Sequence, residues 1–115
     1  CMDGRIQKPI IRFIVENYVY QYNDIITEPG PNKILADGDN EFVLDSILRR
    51  VAISVDQHKS DVIFISGHYD CAGNPATRER QIVQLERAKK WLQPHYQGVK
   101  VEKLWIDQDW NVWLL

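Results

Sequence analysis

"DVIFISGHYDCAGNP", residues 61–75, carries four consecutive apolar residues, Val62–Ile63–Phe64–Ile65, and then breaks into a loop of glycine and polar groups. A run this short, branched and apolar throughout predicts a central strand buried on both faces. Such strands belong to parallel sheets, where helical crossovers cover both sides. Helices are predicted to either side of it. Upstream, Val43, Ile47, Val51 and Val55 form one stripe within residues 39–57, and Leu44, Leu48 and Ala52 widen it, the 3.6-residue period of an amphipathic helix. Downstream, residues 76–93 give a second long helix, with Ile82, Leu85, Ala88 and Leu92 inward and a charged face of Arg78, Glu79, Arg80, Glu86, Arg87, Lys89 and Lys90 toward solvent.

Further out, "NDIIT" (23–27) reads as a strand, stopped by the breaker cluster Pro29–Gly30–Pro31–Asn32. Before it, Ile10/Ile14 and Ile11/Val15 are i,i+4 pairs, and Pro9 suits a first turn, so a short buried helix is expected over 8–18. Toward the other end, "VKVEKLWI" (99–106) and "NVWLL" (111–115) read as strands joined by a turn at "DQDW" (107–110). The alternation predicts an α/β fold: a mainly parallel β-sheet flanked by helices, with an antiparallel edge hairpin at the C-terminal end.

The composition of the 115 residues excludes several classes of protein. Fourteen basic against sixteen acidic residues leave a net charge of -2, which gives no footprint for nucleic acid or an anionic membrane. No stretch approaches the roughly 20 apolar residues of a membrane span. Two cysteines do not make a disulfide-rich scaffold, so a reducing, cytoplasmic setting is the expectation. One domain is expected from the length.

In open α/β sheets, ligands bind beyond the carboxyl ends of the strands. His68 and Cys71 stand just past such an end, and the second cysteine, Cys1, opens the sequence in "CMDGR". Thiolate and imidazole are zinc-type donors, and three protein ligands leave a fourth position for water. A lone H-x-x-C is more often an ordinary loop, and a Cys1–Cys71 disulfide is the third option. Asp3 and Arg5, two residues apart, are close enough to pair. Arginine can hold a carboxylate in fixed orientation through two hydrogen bonds, and beside a metal ligand such a pair controls the site's geometry.

C-x-D-x-R followed some tens of residues later by H-x-x-C, at the end of an apolar strand, resembles the signature of the β-class carbonic anhydrases. The matching residues are Cys1, Asp3, Arg5, His68 and Cys71, and the order of helices and strands follows the family over most of the chain. Gly4 stands where the family usually has Ser, Ala72 where it has Gly, and "EPGPN" in place of an Asn-rich loop, with Asn32 matching. The resemblance implies Zn²⁺ held by Cys1, His68 and Cys71, with Asp3 either paired to Arg5 or swung in as a fourth ligand. It implies reversible hydration of CO₂ to bicarbonate by a metal-bound hydroxide that Asp3 and Arg5 orient, and a homodimer or larger homo-oligomer. It also implies an N-terminal arm and a first strand ahead of Cys1. Two alternatives stay open on the same fold: a hydrolase of a CO₂-like molecule such as carbon disulfide or carbonyl sulfide, and a non-catalytic zinc-binding relative. Of the remaining residues, His95 is a candidate proton shuttle or a loop histidine, and His58 a surface one. Tyr69 and Asp70 line the pocket or shape the loop. The tryptophans (Trp91, Trp105, Trp110, Trp113) fit a core or a subunit interface.

Overall fold

In the computed structural model, which describes residues 1–115, the apolar run opens strand β1 (Val62–His68). Around it lie α1 (Gly4–Tyr18), α2 (Pro31–Asp37), α3 (Glu41–Ala52), α4 (Arg78–Leu92), β2 (Lys100–Ile106) and β3 (Val112–Leu114). The chain is α/β, with four α-helices and one three-stranded mixed sheet. β1 and β2 run parallel, in register from Val62↔Lys100 to His68↔Ile106, and α4 makes the crossover between them. β3 returns antiparallel on β2, so the C-terminal hairpin forms as expected.

Side chains alternate across a strand, and that alternation sorts the core into two faces. Ile65 and Val101 pack with Leu35, Leu44, Ile47, Val51, Leu85, Ala88 and Leu92, which places α2, α3 and α4 on one side of the sheet. Phe64 points to the other side and meets the Tyr18 ring of α1 edge-on at 4.9 Å. The helix starts have local causes. Asn40 Oδ1 accepts from Val43 N at 3.1 Å ahead of α3, and Thr77 Oγ1 from Arg80 N at 3.3 Å ahead of α4, each satisfying an amide that a helix leaves unpaired.

Several sequence expectations are corrected. "NDIIT" is not a strand: residues 21–27 make no backbone hydrogen bond, and Ile25 is 52% exposed. Strand order β1–β2–β3 therefore makes β2, not β1, the strand flanked on both edges, and the sheet has one parallel and one antiparallel pair rather than being mainly parallel. Val62, Ile63 and Phe64 are accordingly only half-buried. Helix α1 begins at Gly4, before Pro9, because Asp3 caps it; Pro9 lies inside the helix, and Ile11 and Val15 are exposed. The breaker cluster ends nothing. Pro31 opens α2, which suits a residue with fixed φ and no N–H to lose. On α4 the inward positions near the start are Gln81 and Gln84, with Ile82 half-buried.

Candidate metal centre

Three of the residues singled out in the sequence converge. His68 is the last residue of β1, Cys71 lies in the turn three residues on, and Cys1 approaches from the segment ahead of α1. One donor atom from each lies within 4.8 Å of the others, and the cluster can hold a metal ion. The two sulfurs are 3.7 Å apart and both cysteines are free. A tetrahedral ion with metal–sulfur bonds of about 2.3 Å sets its two sulfurs ~3.8 Å apart, so the spacing fits.

His68 supplies the strongest test of fit. Its side chain is fully buried, and Nδ1 lies 2.8 Å from the Tyr69 carbonyl, so Nδ1 carries the proton and donates. Nε2 is then an acceptor, and it is the one buried side-chain polar atom left without a partner. Burial pushes the imidazole below its ordinary pKa, which keeps that lone pair free. An unpartnered buried nitrogen costs stability unless something binds it. A histidine whose other nitrogen donates to a carbonyl is oriented as metal-binding histidines are.

The backbone of His68 is fixed by a residue that the sequence reading missed. Gln81 Oε1 accepts from His68 N at 3.2 Å, and Gln81 Nε2 donates to His68 O at 2.9 Å. The carboxamide thus takes the place of a neighbouring strand at the end of β1's open edge. Asn32 Nδ2 donates to Gln81 Oε1 at 3.2 Å, and Asn74 Nδ2 to Gln84 Oε1 at 2.7 Å. The signal lay in the sequence as glutamines on the inward stripe Gln81–Leu85–Ala88–Leu92. Replacing Gln81 by Leu strands buried polar groups at about 1–3 kcal/mol each. A urea titration should show a loss of about 2–5 kcal/mol; an unmoved midpoint would remove Gln81 from this role.

The turn holding Cys71 is seated by a glycine pair. A Cβ on Gly73 would stand 2.4 Å from the Pro29 carbonyl carbon, and one on Gly30 2.7 Å from the Gly73 oxygen. "EPGPN" therefore packs directly on "CAGNP". The Cys1 segment is tied to the same loop by Met2 N, which donates to Glu28 O at 3.0 Å, and to α1 by Gln7 Nε2, which donates to Cys1 O at 2.7 Å.

Asp3 and Arg5 pair as the sequence suggested. Asp3 Oδ1 accepts from Arg5 N at 2.9 Å and Nε at 3.1 Å, and Oδ2 from Nη2 at 2.7 Å. These bonds hold the carboxyl down to about 2 and push the guanidinium further up. Asp3 is not part of the three-donor cluster. Asp70 joins the pair, and Trp110 covers Arg5. Tyr69, Asp70, Cys71 and Trp105 line a cleft of about 960 Å³ at the sheet's C-terminal end, which touches the cluster at Cys71. His58 is bonded to Asp24 at 2.7 Å and His95 lies against Trp91; neither belongs to the cluster. Among the tryptophans, Trp105 is buried, Trp91 and Trp110 are half-buried, and Trp113 is exposed.

No helix is long and apolar enough to cross a membrane. Residues 1–115 match the model of a family described as "Putative carbonic anhydrase". No curated protein and no solved structure matches the chain.

Proposed function

Because the chain belongs to the family described as "Putative carbonic anhydrase", we propose that it hydrates CO₂ reversibly to bicarbonate, in the manner of the β-class, with Zn²⁺ held by Cys1, His68 and Cys71. The observation that carries this reading is His68 Nε2, buried and unpartnered beside two unbonded sulfurs. Two thiolates and an imidazole select a borderline-soft ion, and three protein donors leave a position open for water or substrate. Zinc bound there supplies the Lewis acidity that makes water nucleophilic.

The chain's own residues do the rest. Tyr69 O, by accepting from Nδ1, keeps His68 in the one tautomer that presents Nε2. The Asp3 carboxylate, ionised throughout the working range, receives three N–H groups from Arg5. Held ionised in that orientation, Asp3 would accept a hydrogen bond from a water at the three donors and orient it while keeping its own charge. The cleft lined by Tyr69, Cys71 and Trp105 gives a small, weakly polar substrate its approach.

The same reading makes residues 1–115 part of one domain with a further strand ahead of Cys1. What supports it is an apolar groove of about 490 Å³, lined by Cys1, Ile14, Ile25, Ile63 and Phe64 among others. It lies between the open edge of β1 and the unpaired segment 21–27, so one strand there would pair with both. The reading also includes a homodimer, supported by the edge strand β3, where Trp113 is 56% and Leu114 50% exposed.

Protein purified without chelator is expected to carry about one zinc per chain, to hydrate CO₂ in stopped flow at a rate rising with pH, and to scatter light as a dimer. Metal-free protein with both thiols titratable would end the zinc reading. Zinc-loaded protein inert toward CO₂ would shift the choice to carbon disulfide or carbonyl sulfide, assayed next, or to a non-catalytic zinc protein.

A further inference from the structure

Arg5 is held from three directions, and only one of them is its own segment. Its guanidinium has five N–H donors. Nε and Nη2 reach Asp3; Nη2 also reaches the Asp70 carbonyl at 3.0 Å, and Nη1 the Asp70 carboxylate at 3.1 Å. The plane of the group is thereby set between two segments, the start of α1 and the loop between His68 and Cys71. Its face is covered by Trp110, whose ring centroid lies 4.8 Å from Arg5 Cζ.

Both of the outside partners sit in an uncommon backbone conformation, φ +53 at Asp70 and +63 at Trp110. Left-handed φ is tolerated by aspartate, but it is a genuine outlier for a bulky residue and marks a geometry imposed from outside. The β2–β3 turn imposes it on Trp110. Asp107 Oδ1 accepts from Asp109 N and Asn111 N, each at 2.9 Å, and Oδ2 from Trp113 Nε1 at 2.8 Å. Asp107 O takes the Trp110 amide at 3.1 Å. The hairpin is thus built to carry an indole in a strained position, and the indole lands on Arg5.

We propose that Asp70 and Trp110 are positioning residues for Arg5: together they fix its plane and face, and through it hold the Asp3 carboxylate apart from the Cys1–His68–Cys71 donors. What those donors hold rests on the function proposed above; the clamp on Arg5 does not. With the clamp loosened, Arg5 swings, and the Asp3 carboxylate is free to turn toward a cation on the three donors and fill the open position.

The test reads Arg5 directly. The Arg5 Nε–H signal in ¹⁵N-labelled protein, assigned by its loss in Arg5→Lys, reports exchange with water whether or not metal is bound. Trp110→Asn keeps a residue that accepts left-handed φ but removes the ring; Trp110→Tyr keeps a ring face. Asp70→Asn keeps the backbone carbonyl and the turn but removes the charge. Exchange should quicken at least tenfold in Trp110→Asn and severalfold in Asp70→Asn, and stay near the native rate in Trp110→Tyr, with no matching fall in thermal midpoint. Cobalt(II) protein gives the second readout. Thiocyanate should shift the native visible spectrum, and its apparent affinity should drop at least fivefold in Trp110→Asn as the carboxylate takes its place. Exchange within twofold of native in both Trp110→Asn and Asp70→Asn would overturn the proposal. A protein that binds no cobalt would instead overturn the metal reading, with the exchange rates still deciding the clamp.

Discussion

His68→Ala protein is expected to lose metal and CO₂ hydration together, zinc falling from about one ion per chain to background. Of the three donors, His68 is the one whose geometry is most completely determined. Its backbone is gripped at both polar groups by Gln81, and its ring is oriented by the Tyr69 carbonyl. The sulfurs cannot compensate, since two thiolates alone make a two-coordinate site open to competing thiols. Folding should survive better than binding, because the substitution removes a buried nitrogen that has no protein partner, offsetting part of the cavity it leaves. Cys71→Ser should behave alike. The measurement is zinc content on protein shown to be compact by circular dichroism. A compact His68→Ala protein that keeps stoichiometric zinc would place the metal elsewhere.

Gly73→Ala is expected to be the most damaging one-carbon change in the chain. The added methyl would meet the Pro29 carbonyl carbon at 2.4 Å and the Gly30 nitrogen at 2.7 Å, both backbone atoms that cannot rotate away. Overpacking of this kind typically costs about 1–3 kcal/mol, and with backbone on both sides the upper end applies. The effect should travel, because the displaced loop also carries Glu28, whose carbonyl holds the Met2 amide next to Cys1. Reduced stability in urea should therefore come with weaker zinc retention against a chelator. Gly4→Ala is the control: it lies nearer to Cys1 in sequence, but its Cβ would meet nothing within 4 Å. Equal behaviour of the two variants would show that the loops do not pack as described.

That contrast marks what could be read from residue types alone. The strand at 62–68, the long helices that became α3 and α4, and the terminal hairpin were legible because period and branching act locally. The strand expected at 23–27 was not, since the same β-prone residues become a strand only when a neighbour offers hydrogen bonds, and here none does. Pro31 misled because a proline marks the start of a helix as readily as an interruption. In the candidate site, Cys1, His68, Cys71, Asp3 and Arg5 could be picked out by spacing and chemistry. Gln81 and Trp110 could not. Each acts through a contact made only after the chain has folded, Gln81 as a substitute strand edge and Trp110 as a lid on a cation.

The separation of the two cysteines has a further meaning for the unfolded chain. Cys1 and Cys71 meet across 70 positions of sequence, so an ion shared between them closes a loop holding α1, α2, α3 and β1 and leaves α4, β2 and β3 outside. By the chain-entropy relation, tying off a loop of that length removes disorder worth about 4 kcal/mol from the denatured ensemble. An apo chain has to find the same encounter by diffusion, the kind of long-range contact that slows folding. Metal occupancy would then set how quickly the first two-thirds of the chain can find its fold, and how slowly it lets go.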